Sequence, residues 1–120
     1  MDYEKHMQTN LEQVFSQRDP ALRLKAIREL YTVTADLYEP HASAKGHNPI
    51  NDAVTELLSH IPAEFTFTAA RPALALNHIA RLQWRLSRPD GTVAATGTDV
   101  AHFEDGKIRA LYVFVDQEGS

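Results

Sequence analysis

Asp99 stands out as the residue that could do chemistry. It lies in the stretch Thr92 to Glu104, where apolar and polar groups alternate with the period of a β-strand. Val93, Ala95, Gly97, Ala101 and Phe103 share its face, while Thr92, Thr96, Thr98, His102 and Glu104 take the other. A carboxylate is thereby set among small and apolar side chains, on the face that meets the core. Ionising a carboxylate in a dry site is costly, so one placed there needs a partner or a purpose. Burial raises its pKa, which suits it to general acid work or, when protonated, to donating a hydrogen bond. The bland alternative is a structural carboxylate bonded to a backbone N–H or a histidine.

A second strand and a second acid accompany it. Asn77 to Ser87 alternates cleanly, with His78, Ala80, Leu82, Trp84 and Leu86 on one face and Ile79, Arg81, Gln83 and Arg85 on the other. His78, Leu82 and Trp84 fit the wall of an apolar pocket, although a large aromatic in a strand fits a plain core equally well. Arg81 and Arg85 read as a solvated outer face. Glu39 precedes Pro40, shares a face with Ala35 and Leu37, and on its own reads as an exposed strand end. The six histidines are scattered, and His41 and His47 read as solvated loop residues, so no metal site is expected. With no cysteine, disulfides, thiolate nucleophiles and cysteine-bound metals are excluded. Gly-rich phosphate loops, the Gly-x-Ser-x-Gly elbow and the His-Glu-x-x-His helix are missing, leaving nucleotide binding and the common hydrolase mechanisms without support.

The elements that must position these residues can be read from spacing. Met7, Leu11, Val14 and Phe15 form one face of a first helix. Asp19-Pro20 opens a second, with Asp19 as N-cap and proline in the first turn, and Ala26, Ile27, Leu30 and Tyr31 as its buried stripe. Thr34 to Pro40 reads as a short strand and His41 to His47 as a loop. Asn48-Pro49 caps a third helix carrying Ile50, Ala53, Val54, Leu57, Leu58 and Ile61, which Pro62 stops. A strand around Phe65 and Phe67 is interrupted by Ala70-Arg-Pro72. Three strands follow, Asn77 to Ser87, Thr92 to Glu104 and Lys107 to Asp116, joined by turns at Pro89-Asp90-Gly91 and Asp105-Gly106. Three helices with one early strand, then an antiparallel meander, predict an α+β fold with helices packed on one face of a sheet.

The last strand is apolar on both sides, so alternation does not place Asp116. A strict two-residue turn at Asp105-Gly106 points Tyr112 and Phe114 inward, which makes Tyr112 a pocket candidate. A slip of one residue reverses the whole strand.

Length and composition bound the rest. The 120 residues suit one domain spanning 1–120, and 43% hydrophobic with 23% charged residues is a globular composition. A net charge of −4 argues against a nucleic-acid partner. The apolar runs fall far short of the roughly 20 residues that cross a bilayer, and the polar start lacks a secretory signal. A cytoplasmic protein with no membrane partner is expected.

Three segments carry a resemblance over nearly the whole chain: Tyr31-Thr-Val-Thr-Ala-Asp-Leu-Tyr-Glu-Pro40, the helix Pro49 to Ile61, and Gly97-Thr-Asp-Val-Ala-His-Phe-Glu-Asp-Gly-Lys-Ile108. They resemble the nuclear-transport-factor-two-like superfamily, particularly its SnoaL-like polyketide cyclase and ketosteroid isomerase branches. The resemblance implies a cystatin-like cone: a curved antiparallel or mixed sheet with the three N-terminal-half helices on its concave face. It also implies that Leu111, Val113 and Val115 point inward, opposite to the strict turn. In ketosteroid isomerases a carboxylate before a proline at the end of the first strand shuttles a proton, and Glu39 takes that place. Their protonated aspartate, which donates to the developing oxyanion, matches Asp99, and their pocket aromatic is similar to Trp84. The first-helix tyrosine that completes their oxyanion site falls near Leu11, which cannot donate.

The expectation drawn from residues and resemblance together is a small hydrophobic ligand inside the cone. Proton transfer on a carbonyl compound, of isomerase, cyclase or dehydratase type, would need no metal or organic cofactor. Asp99 and Glu39 are the catalytic candidates, and Trp84, Leu82, His78 and Tyr112 the ligand-binding ones. A homodimer through the convex sheet face is expected, because large apolar groups lie there whichever way the last strand faces. The alternative is a non-catalytic ligand-binding or dimerisation module whose cavity is filled by side chains.

Overall fold

The computed structural model describes residues 2–116. Helix α1 (Tyr3–Asn10) is capped by Asp2, whose carboxylate accepts from the Lys5 N–H, and runs on as a π-helical turn over Leu11–Phe15. The wider turn brings Leu11, Val14 and Phe15 all into the core, the same face that the spacing predicts. Asp19 caps α2 (Pro20–Leu30) by accepting from the Ala21 and Leu22 N–H groups, with Pro20 in the first turn as expected.

Tyr31 is not the end of that helix. It begins β1 (Tyr31–Glu39) without an intervening loop, because the aromatic and β-branched run Tyr31-Thr-Val-Thr favours strand. The segment read as a loop contains β2 (Ala42–Lys45), which forms a hairpin with β1 in the register Glu39↔Ala42 and Asp36↔Lys45. Its small residues give no alternation to read. His47 starts α3 (His47–Ser59) rather than lying in a solvated loop; its Nε2 sits 3.0 Å from the carbonyls of both Tyr31 and Thr32. Gly46, at φ +91°, is the N-cap, a conformation that a side chain would strain. Arg23, buried on α2, locks α2 to α3 by donating to the Asn51 carbonyl, Asn51 Oδ1 and Thr55 Oγ1.

The remaining strands are β3 (Thr66–Ala69), β4 (Leu74–Leu76), β5 (Ile79–Ser87), β6 (Val93–Glu104) and β7 (Lys107–Val115). The sheet runs β2-β1-β7-β6-β5-β3 with β4 also on β5; β1 and β7 are parallel and the other pairs antiparallel. The fold is therefore α+β, three helices and an open seven-stranded mixed sheet, as the sequence predicts.

Two bulges revise the facing of residues. Asp105 and Gly106 both have positive φ, giving the primed turn expected between antiparallel strands, and Glu104↔Lys107 and Phe103↔Ile108 pair as a strict hairpin would. The next pair is His102↔Ala110, so Arg109 is the extra residue of a bulge. Beyond it the faces are exchanged: Leu111 and Val113 point inward, and Tyr112 and Phe114 lie exposed on the convex side. Tyr112 is thereby removed from the pocket candidates. A second shift, between Leu86↔Ala95 and Ser87↔Val93, turns Val93 away from the face of Asp99.

Candidate functional site

A cavity of about 710 Å³ lies between the sheet and the helices. Leu11 and Phe15 reach it from the π-helical turn, Ala53 and Leu57 from α3, and Phe67, Trp84 and Val113 from the sheet. Glu39, His41, Glu56, His60 and Asp116 bring polar groups to its wall, all of them half-buried or exposed. Asp99 also lines it and is 2% exposed.

The placement of Asp99 follows from three residues on two strands. Trp84 and Gly97 are directly opposed, and a Cβ at Gly97 would run into Trp84 Cζ2 and the Phe114 carbonyl oxygen. Only glycine lets the indole lie this close to the strand. From there Trp84 reaches diagonally to the residue two further along, and its Nε1 donates to Asp99 Oδ1 at 2.9 Å. Phe67 meets Trp84 edge to face at 5.2 Å, and Phe15 meets Phe67 the same way at 6.1 Å, so the indole is held from the helix side too.

Burial pushes the Asp99 carboxyl from its ordinary 3.8 up to about 7, against the lowering effect of the Trp84 hydrogen bond and with a further rise from the charge of Glu39. Burial also raises Glu39. Glu39 stands at the end of β1, where Pro40 and His41 turn the chain into β2, and this puts a second acid on the same cavity. Nearby, the wholly buried Tyr31 hydroxyl donates to Asn10 Oδ1; burial and the charge of Asp99 hold Tyr31 well above its ordinary pKa.

The structure thus brings Asp99, Glu39 and Trp84 together and separates the other sequence candidates from them. Leu82 is directly opposite Asp99 but packs in the core without lining the cavity. His78 falls in the exposed turn before β5, its Nδ1 3.4 Å from the Tyr3 hydroxyl, and does not line the cavity. Tyr112 stacks on Tyr38 on the convex face at 5.1 Å. Leu11 lines the cavity and offers no donor. Asp116, unplaced by alternation, lies at the edge of the cavity, its Oδ2 accepting from the Thr96 hydroxyl at 2.7 Å on the strand face opposite Asp99. Sequence spacing carries no signal for His41, Glu56 or His60 as residues of the cavity lining, since tertiary packing alone brings them to it. Among the described residues no three histidine, aspartate or glutamate side chains could hold a metal ion.

This fold is shared with solved structures described as SnoaL-like and as ketosteroid isomerase-like. A proposed isomerase of the SnoaL-like family from Agrobacterium tumefaciens superposes with a TM-score of 0.86 at 24% identity, covering 94% of this chain and 96% of its own. A proposed SnoaL-like polyketide cyclase from Jannaschia gives 0.76 at 14% identity, covering 93% and 83%. A proposed ketosteroid isomerase from Kribbella flavida gives 0.72 at 13% identity, covering 98% and 79%. At these identities the likeness concerns the fold. No protein-family model and no curated protein matches the chain.

Proposed function

We propose that the cavity binds a small, largely apolar carbonyl compound, on which Glu39 transfers a proton next to the carbonyl group while Asp99 donates a hydrogen bond to its oxygen. The observation that carries this reading is a wholly buried carboxyl, raised to about 7 and held by an indole N–H, on the wall of a 710 Å³ cavity that a second acid also lines. Pockets of this size and lining suit small molecules. In the proposed step Glu39, made more basic by burial, takes a proton from the carbon next to the carbonyl. Protonated Asp99 donates a hydrogen bond to the oxygen as it becomes an enolate, and Glu39 either returns the proton at another carbon or gives it to a β-hydroxyl, which leaves as water as the enolate collapses to the unsaturated carbonyl. Isomerisation, aldol-type cyclisation and dehydration all share this step. The solved structures of similar fold, two described as proposed isomerases and one as a proposed cyclase, agree with it.

A second reading, ligand binding without turnover, is favoured by Leu11, which leaves the first-helix side of the cavity without a donor. The two are separated by deuterium exchange next to the carbonyl in a panel of small ketones, neutral and amine-bearing, in D2O. Catalysis predicts exchange above background that falls at least tenfold in both Glu39→Gln and Asp99→Leu. Binding without accelerated exchange would leave the binding-module reading.

The proposal extends to a cytoplasmic homodimer closed through the convex face. Tyr38, Tyr112 and Phe114 are 41%, 42% and 58% exposed there, and such adjoining apolar groups usually mark an interface.

A further inference from the structure

The charges around the cavity are one-sided. Glu39, Glu56, Asp99 and Asp116 line it, and none of the chain's 12 lysines and arginines does. Among the described residues, the only lining groups able to carry a positive charge are His41 and His60, and Glu56 Oε1 already sits 3.0 Å from His60 Nε2. Two of the four acids, Glu39 and Asp99, are raised by burial, and Asp99 is raised again by Glu39. Glu39 and Asp99 face this space with no lysine or arginine in its lining. An anionic ligand would add to that repulsion in a partly desolvated site, where charges interact strongly. A cationic ligand would relieve it.

The apolar wall points the same way. Phe15, Phe67 and Trp84 all line the cavity, meeting edge to face in a continuous aromatic series that ends at the Asp99 carboxyl. Aromatic walls beside a carboxylate suit an ammonium group, which ring quadrupoles attract and which the carboxylate neutralises.

We infer that the ligand of this cavity has an apolar body bearing a positively charged nitrogen, an amine or quaternary ammonium, and that the site rejects carboxylates and phosphates. This rests on the reading of the cavity as a small-molecule site and adds the charge class of its occupant. It also restricts the carbonyl compounds of the proposed reaction to those carrying a basic nitrogen.

The test is a matched series with one body and three charges: 4-phenylbutylamine, 4-phenylbutanol and 4-phenylbutyrate. Binding is measured at pH 8 and low salt by calorimetry and by the fluorescence of Trp84, the only tryptophan and itself on the cavity wall. The amine should bind at least tenfold more tightly than the alcohol, and the butyrate most weakly. The advantage of the amine over the alcohol should shrink in high salt and in the variant Glu39→Gln. An amine bound no better than the alcohol, or a butyrate bound as well as either, overturns the inference and leaves the small-molecule reading standing. If none of the three binds, the small-molecule reading falls and the inference falls with it.

Discussion

Replacing Asp99 by asparagine should stabilise the protein at pH 8 and have little effect at pH 4. Asparagine retains an acceptor for the Trp84 indole and cannot ionise. In the wild type the Asp99 carboxyl titrates near 7 in the folded protein and near its ordinary 3.8 in the unfolded chain. Between these values the folded protein holds a proton that the unfolded chain has released, so stability falls as the pH rises from about 4 to about 7 and levels off above. The separation of about three pH units, at about 1.4 kcal/mol each, corresponds to about 4 kcal/mol. That is a large share of the roughly 5–15 kcal/mol that holds a domain folded. Urea unfolding of both proteins, at one-unit steps from pH 4 to pH 8, isolates the effect, because every other titrating group is common to the two. The stability difference should move in favour of Asp99→Asn by about 3 to 4 kcal/mol across the series. Asp99→Leu should show the same slope from a lower start, since the stranded indole N–H costs about 1–3 kcal/mol at every pH. Parallel curves for wild type and Asp99→Asn, or a wild type that gains on the variant as pH rises, would refute the buried neutral acid.

Gly97→Ala should cost about 3 kcal/mol, at the upper end of overpacking effects, because the new methyl meets a backbone carbonyl as well as the Trp84 ring; urea melts together with a shift of the Trp84 emission would show both the loss and the displaced indole. If the proposed dimer forms, Phe114→Glu should convert it to monomer in sedimentation at micromolar concentration without lowering the melting temperature of the monomer, since the side chain lies on the exposed convex face. A wild type that sediments only as monomer would reject the interface.

The helices and long strands were legible because their buried positions recur at strict spacing. Met7, Leu11, Val14 and Phe15 are all buried, and on β5 exposed and buried positions alternate from Ile79 to Leu86. What escaped reading lacks such a pattern or depends on distant partners. The Ala-Ser-Ala-Lys of β2 has no apolar face, and β4 is a three-residue strand with every position exposed. Arg23 sits in an ordinary helix sequence; only the fold supplies Asn51 and Thr55 to receive its guanidinium. The facing of Tyr112 turned on one extra residue, Arg109, which nothing in Lys107-Ile-Arg-Ala marks as a bulge.

The site divides along the same line. The inward direction of Asp99 follows from local alternation and needs no tertiary knowledge. Its hydrogen bond does not: Trp84 pairs with Gly97, and reaching Asp99 requires the diagonal across two strands and the absence of a Cβ beneath the ring. A leucine would satisfy the alternation at position 99 equally well and would carry no ionisation cost at neutral pH. The residue that breaks the local rule is also the one that the Trp84 indole holds on the cavity wall, and departures of that kind are expected where a fold serves a site rather than its own stability. The same argument separates Asp99 from Arg23. Arg23 is as deeply buried, yet its guanidinium is spent on neighbouring carbonyl and side-chain oxygens. Asp99 has one oxygen held by Trp84 and no other protein partner among the described residues, which leaves the remaining oxygen for whatever enters the cavity.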